Sequence, residues 1–194
     1  EAQDVKKTSK IIRAARKLLG QSQRSVADLL GITQASLSKM ENGNFIPSTS
    51  QWYRLCEEFG INSENSFKTG YIDNCSSVLP ESVYSEHRFK VPNKYLRHQG
   101  SKVRIIRPFL KYFETRLGED KLNEYLGHLK IDPDFFVVYD NQLSIRFSLE
   151  MITWLIESGN LKKENIPDAA RPLVRPEMHG ILHDHYCHMK TKKA

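Results

Sequence analysis

Glycines divide the first third of this chain into short helical segments. Over Thr8 to Gly20 the apolar residues Ile11, Ile12, Ala15, Leu18 and Leu19 recur at three and four, the stripe of an amphipathic helix that Gly20 can stop. Ser22 stands where a second helix is capped, and Val26, Ala27, Leu29 and Leu30 face inward until Gly31 breaks it. Thr33 caps a third, with Leu37 and Met40 inward and Asn42-Gly43-Asn44 at its exit. Pro47 and Ser48 precede a fourth, whose apolar face is Trp52, Leu55, Cys56 and Phe59, closed by Gly60; a fifth runs from Ser63 to Thr69.

Charge narrows the partners without naming one. The 194 residues hold 29 Lys plus Arg against 23 Asp plus Glu, a formal charge of +6, which favours anionic partners. Two basic blocks stand out, Glu1 to Arg24 with seven basic and two acidic residues and Glu86 to Arg116 with nine and two, whereas Leu117 to Asp168 holds ten acidic and five basic residues. Residues 1–70 carry ten basic and seven acidic groups, so net charge alone decides little there and any partner must be read from placed side chains. Cys56, Cys75 and Cys187 form no CxxC pair, which points away from a disulfide framework and toward a reducing, cytoplasmic compartment. No apolar run reaches the ~20 residues of a membrane-spanning helix, so no membrane partner is expected. The chain starts at Glu1 without an initiator Met, as a fragment or processed product would.

Turn formers replace helical stripes between Tyr71 and Glu86, giving an expected linker over 71–88 between an N-terminal domain, 1–70, and a second domain, 89–194. Helices are expected over Val103 to Leu117 and Lys121 to Leu129, with Pro108 near a helix start or a kink. The run Phe135 to Tyr139 fits a strand or a buried helical turn equally well. Ser144 caps a further helix on which Ile145, Leu149, Ile152, Leu155 and Ile156 make the apolar stripe, and a last helix spans Glu177 to Met189. The expected core of the second domain is Tyr95, Ile105, Ile106, Phe109, Leu110, Phe113, Leu122, Leu126, Phe147, Ile152 and Trp154. The fold class is therefore all-α: an N-terminal five-helix bundle followed by a mainly helical second domain.

The stretch from Arg16 to Gly43, with its Ser22-Gln23 helix start, Ala27, Leu30-Gly31 turn and Glu41-Asn42-Gly43 exit, resembles the helix-turn-helix of phage-repressor (XRE, Cro-like) transcription regulators. The resemblance covers Ser9 to Asn65 and implies a DNA-binding unit made by the second and third helices, the third lying in the major groove. It makes Gln34 the leading base reader, with Ala35, Ser38 and Lys39 beside it. The chemistry agrees: Gln pairs bidentately with adenine, Lys reaches guanine, and an Ala methyl meets a thymine methyl. Phosphate contacts are expected from Gln23 and Asn42, and from Arg24, Lys10 and Arg13. Arg16 and Glu41 fall at the family's structural ion pair and are assigned to the fold. The resemblance further implies a homodimer on double-stranded DNA, so the second domain is expected to dimerise the chain. A chain cut after Ser85 should then lose operator binding far more than it perturbs the first bundle.

In the second domain, Leu129 to Pro133 followed by Ile145 and Phe147 is similar to the all-helical regulatory segments of bacterial transcription factors. Arg97, Arg104, Arg107 and Lys111 are candidates for an anionic effector, set against a solvated basic face paired with the acidic stretch from Glu119 to Asp140. His179, His183 and Cys187 share one face at helical spacing and are candidate metal ligands, but they lack an evident fourth ligand, so no metal or other cofactor is expected. No organised base and acid, phosphate loop or paired carboxylates suggest catalysis, so the protein is not expected to be an enzyme. The competing function is a protein-interaction adaptor or antitoxin-like partner that uses the same bundle to bind protein.

Overall fold

The computed structural model describes residues 2–73 and 88–166. The first helix, α1 (Ala2–Leu18), begins six residues before Thr8. Thr8 and Ser9 look like a helix start, yet both are buried inside α1, where Thr8 Oγ1 donates to the carbonyls of Asp4 and Val5 at 2.9 and 3.0 Å and Ser9 Oγ to that of Lys6 at 2.9 Å. Ile11, Ile12, Ala14, Ala15 and Leu18 are its buried face.

The next four helices, α2 (Gln23–Leu30), α3 (Gln34–Glu41), α4 (Thr49–Glu58) and α5 (Ser63–Thr69), begin at side-chain caps. Ser22 accepts from the Ser25 N–H and Thr33 from the Ser36 N–H. Ser48 and Gln51 form a reciprocal capping box, and Asn62 accepts from the Asn65 N–H. Gly31 closes α2 at φ +66°, and a Cβ there would meet nothing within 4 Å. Backbone angle, not space, is what the turn requires of this residue.

The described residues fall into two units: the first runs to Pro92 and takes in Leu129–Asn141, while the second comprises Asn93–His128 and the described residues from Gln142 onward. This differs from the expected 1–70 and 89–194, because Leu129–Asn141 is stitched to the first unit. Pro133–Val137 forms a 3₁₀ helix; Val138 then pairs with Ile72 in a parallel bridge. The Ile72 N–H donates to the Val137 carbonyl at 2.9 Å, the Tyr139 N–H to the Ile72 carbonyl at 3.0 Å, and the Asp132 N–H to the Lys90 carbonyl at 2.8 Å. Tyr71 stacks on Tyr139, Phe89 meets Phe135 edge to face, and Phe135 to Tyr139 are all buried. The run that fitted strand or helical turn is thus a short helix followed by one bridged residue. The segment similar to regulatory regions, Leu129 to Pro133, lies in the unit that carries the helix-turn-helix.

That grouping revises the truncation. A chain ending at Ser85 lacks the partners of Ile72 and Tyr71, so its first unit is expected to melt lower than in the full chain by several degrees, together with the loss of DNA binding; thermal unfolding followed by circular dichroism checks this.

The second unit contains α6 (Asn93–Leu96), β1 (Gln99–Lys102), α7 (Val103–Leu117), α8 (Glu119–His128), β2 (Gln142–Ser144) and α9 (Ile145–Glu157). The two strands pair antiparallel, a small sheet among described residues that are otherwise mostly helical. β1, Gln99-Gly100-Ser101-Lys102, holds no apolar side chain and β2 is only three residues long, so only the pairing between distant segments produces the sheet. Pro108 lies in the second turn of α7, buried, where its missing N–H removes a bond to the Arg104 carbonyl; packing, not helix propensity, holds it there.

Of the expected core, Tyr95, Ile106, Leu110, Phe113, Leu122, Leu126 and Phe147 are buried, and the departure from expectation lies in the phase of α9. On α9 the buried side chains are Phe147, Met151 and Leu155, whereas Ile145 and Leu149 are exposed. Ile105 is exposed as well, and Trp154 is partly exposed with its ring stacked on Phe113 at 5.2 Å. Both stripes of α9 have helical spacing, so periodicity could not rank them. Tyr95 and Phe147, both fully buried, meet edge to face at 5.7 Å. The Tyr95 hydroxyl donates to Glu150 at 2.5 Å, with Lys94 at 3.0 Å and Arg146 at 2.7 Å on the same carboxylate. Burial works to raise the Glu150 pKa, but these three donors outweigh it and bring it down to about 2.

Candidate nucleic-acid interface

Helix α3 has a buried side and an open one. Leu37, Met40 and Glu41 point inward at 3% exposure or less, while Gln34, Ala35 and Lys39 are exposed and Ser36 and Ser38 half-buried. The four expected base readers, Gln34, Ala35, Ser38 and Lys39, are spaced i, i+1, i+4 and i+5, which puts them on one side of the helix. Gln34 is the first helical residue, at the end that enters the groove in helix-turn-helix proteins. Ser36 is committed elsewhere, its hydroxyl lying 2.9 Å from Thr33 Oγ1 within the cap.

A buried carboxylate fixes this helix against its neighbours. Glu41 accepts from Arg16 Nε at 2.5 Å and Arg16 Nη2 at 3.1 Å, and from Gln23 Nε2 at 2.8 Å. One side chain on α3 therefore ties α1 and α2 together. Ala27, 1% exposed, permits the close approach of α2, as its small size suggests.

The expected phosphate residues divide. Arg24 is exposed in the first turn of α2, Asn42 is the exposed C-cap of α3, and Lys10 is half-buried on α1. Gln23 spends an amide hydrogen on Glu41. Arg13 is held inside the unit: Nε and Nη2 donate to the two oxygens of Asp134 at 2.6 and 2.7 Å, and Nη1 donates to the Glu41 carbonyl at 2.9 Å. With all three nitrogens engaged, Arg13 braces α1 and α3 instead of reaching outward.

Lys17 completes that brace, its Nζ 2.5 Å from Asp132 and 2.7 Å from Asp134. Burial would raise the Asp134 carboxyl, but Arg13 and Lys17 hold it below the usual carboxylate range. The Asp134 hydrogen bond in turn raises Arg13, and for Lys17 the two carboxylates outweigh desolvation. Sequence reasoning missed this network. The acidic pair in Asp132-Pro133-Asp134 was visible, but nothing local matches it to cations more than a hundred residues earlier.

In the second unit, Lys111 Nζ lies 3.0 Å from Glu114 and Arg107, itself buried, lies 3.8 Å from the same carboxylate. Arg97 is exposed beyond α6, and Arg104 is half-buried on α7. The basic block thus finds carboxylates at Glu114 and, for Lys94, at Glu150. His179, His183, Cys187 and the helix expected over Glu177 to Met189 lie outside the described residues, as does 74–87 of the expected linker. Among the described residues there is no cluster of three or more potential metal ligands and no helix long and apolar enough to cross a membrane.

Two short capped helices joined at a left-handed glycine, the second presenting an open row of amide, methyl and cationic side chains, make a DNA-binding helix-turn-helix unit. Residues 12–64 match the model of a helix-turn-helix family, of the XRE type, whose members are DNA-binding regulators. Neither the curated proteins nor the solved structures compared with the chain gave a match.

Proposed function

We propose that the protein is a sequence-specific transcription regulator that binds operator DNA as a homodimer in the cytoplasm. Helix α3 lies in the major groove, with Gln34 reading adenine, Ala35 a thymine methyl, Lys39 guanine, and Ser38 adding a hydroxyl contact. Arg24, Asn42, Lys10 and the N-terminal turn of α2 at Gln23 hold the phosphates. The second unit supplies the dimer contact, and Arg97 and Arg104, with Arg107 and Lys111 partly spent on Glu114, are where an anionic effector would act. Domain boundaries follow the contact units, with the first closed by Leu129–Asn141. The function needs neither a cofactor nor a catalytic step.

The observation that carries this reading is the exposed row Gln34, Ala35 and Lys39 on a helix whose opposite side is locked by Leu37, Met40 and Glu41. Selection of bound sequences from a random DNA library tests it. The wild type is expected to enrich a two-fold symmetric motif, and Gln34→Ala to lose preference at one position per half-site by ~1–3 kcal/mol, while affinity for unrelated DNA changes little. No enriched motif from the wild type would sink the proposal. A second reading, the adaptor or antitoxin-like partner, is favoured by Phe45 and Ile46, 52% and 40% exposed just beyond the recognition helix. It predicts little salt-dependent binding to random DNA fragments, whereas phosphate contacts make such binding fall steeply with salt.

A further inference from the structure

Helix α9 carries two apolar stripes, and the unit buries one. Phe147, Met151 and Leu155 are fully buried. At ~100° per residue, Ile145, Leu149, Ile152 and Ile156 fall within a second arc of about 60°. Ile145 is 62% and Leu149 58% exposed, and Ile152 and Ile156 are half-buried.

We propose that this second stripe is the contact between two copies of the chain, with the two α9 helices packed antiparallel. The inference rests on the homodimer reading and adds where the contact lies. Its first support is the spacing. The steps between positions 145, 149, 152 and 156 are four, three and four, a pattern unchanged on reversal. A two-fold axis passing between Glu150 and Met151 therefore sets Ile145 of one copy against Ile156 of the other, and Leu149 against Ile152. A two-fold contact requires this self-complementarity of the surface, and alternating steps of three and four are those of a coiled-coil seam.

Charge supplies the second support. Arg146 and Glu157 lie on the same flank of the stripe near opposite ends of the helix, both exposed. Antiparallel packing turns that flank toward its own copy and brings each Arg146 beside Glu157 of the other chain. Between them, Glu150 already receives Lys94, Tyr95 and Arg146, so its charge is compensated near the axis.

Sedimentation equilibrium on the full chain tests the proposal. The wild type is expected to be dimeric, and Leu149→Glu to weaken association by about 100-fold, since two apolar contacts are lost per dimer. Its circular dichroism should be unchanged, because the side chain is exposed. Ile145→Glu, at the helix start where an acidic group suits the helix, serves as a second variant and should weaken association likewise. Mixing Leu149→Glu chains with Ile152→Lys chains should restore dimers, since positions 149 and 152 meet across the axis. A wild-type dimer left intact by both glutamate variants overturns this contact but leaves the homodimer standing. A wild type still monomeric at roughly 100 µM overturns both.

Discussion

Glu41→Ala is expected to destabilise the N-terminal unit by about 3–5 kcal/mol and to abolish DNA binding with it. The carboxylate is 3% exposed and accepts three hydrogen bonds, two from Arg16 and one from Gln23. Its removal strands the Arg16 guanidinium, itself only 17% exposed at the side chain, and leaves the Gln23 amide without its partner. Losing one member of a buried pair costs more than losing both, because an uncompensated charge stays behind. Denaturant unfolding of the single variant, and of Arg16→Met with Glu41→Leu, checks this. The double variant should recover much of the lost stability, and if it proves as unstable as the single one, the charge pair is not the cause. Since Glu41 closes α3 against α1 and α2, binding should fall even at temperatures where the single variant remains folded.

The second large effect belongs to Asp134. Its side chain is 3% exposed and sits between Arg13 and Lys17, which keep their own side chains 32% and 26% exposed. Water can therefore partly rescue the cations, and Asp134→Asn is expected to cost about 2–3 kcal/mol, less than Glu41→Ala. The loss should depend on pH. Because the folded state holds the Asp134 pKa below its unfolded value, the unfolded chain takes up the proton first as the solution is acidified. The stabilisation is complete above about pH 5, declines as pH falls through the unfolded value near 4, and is lost once the folded value is passed. Wild type and Asp134→Asn should differ most at neutral pH and draw together as the pH falls below the unfolded carboxyl value near 4. Parallel stability curves across that range would remove Asp134 from the account.

The five N-terminal helices were legible because their limits are written locally. Ser22, Thr33 and Ser48 cap, Gly31 turns, and each pairs with atoms at most a few residues away. The ion pair of Arg16 with Glu41 was legible through the family resemblance, and the structure places it where expected. The beginning of α1 was not, because a serine or threonine can cap a helix or bond backward within one, and only the packing of Thr8 and Ser9 decides. Arg13 was misplaced for a related reason: a cation near a helix-turn-helix has the same sequence signature whether it faces phosphate or a carboxylate brought from afar. The stripes of α9 show the limit of periodicity, which detects an apolar face without telling which neighbour covers it.

The return of Leu129–Asn141 to the first unit has a consequence during synthesis. The ribosome finishes the five N-terminal helices early, but the residues that pair with Ile72 and neutralise Arg13 and Lys17 follow about seventy positions later. At ~5–20 residues per second that is a delay of roughly 4–14 s. Throughout that interval the nascent reading head exists without its brace, exposing an apolar edge and two uncompensated cations to whatever meets it first.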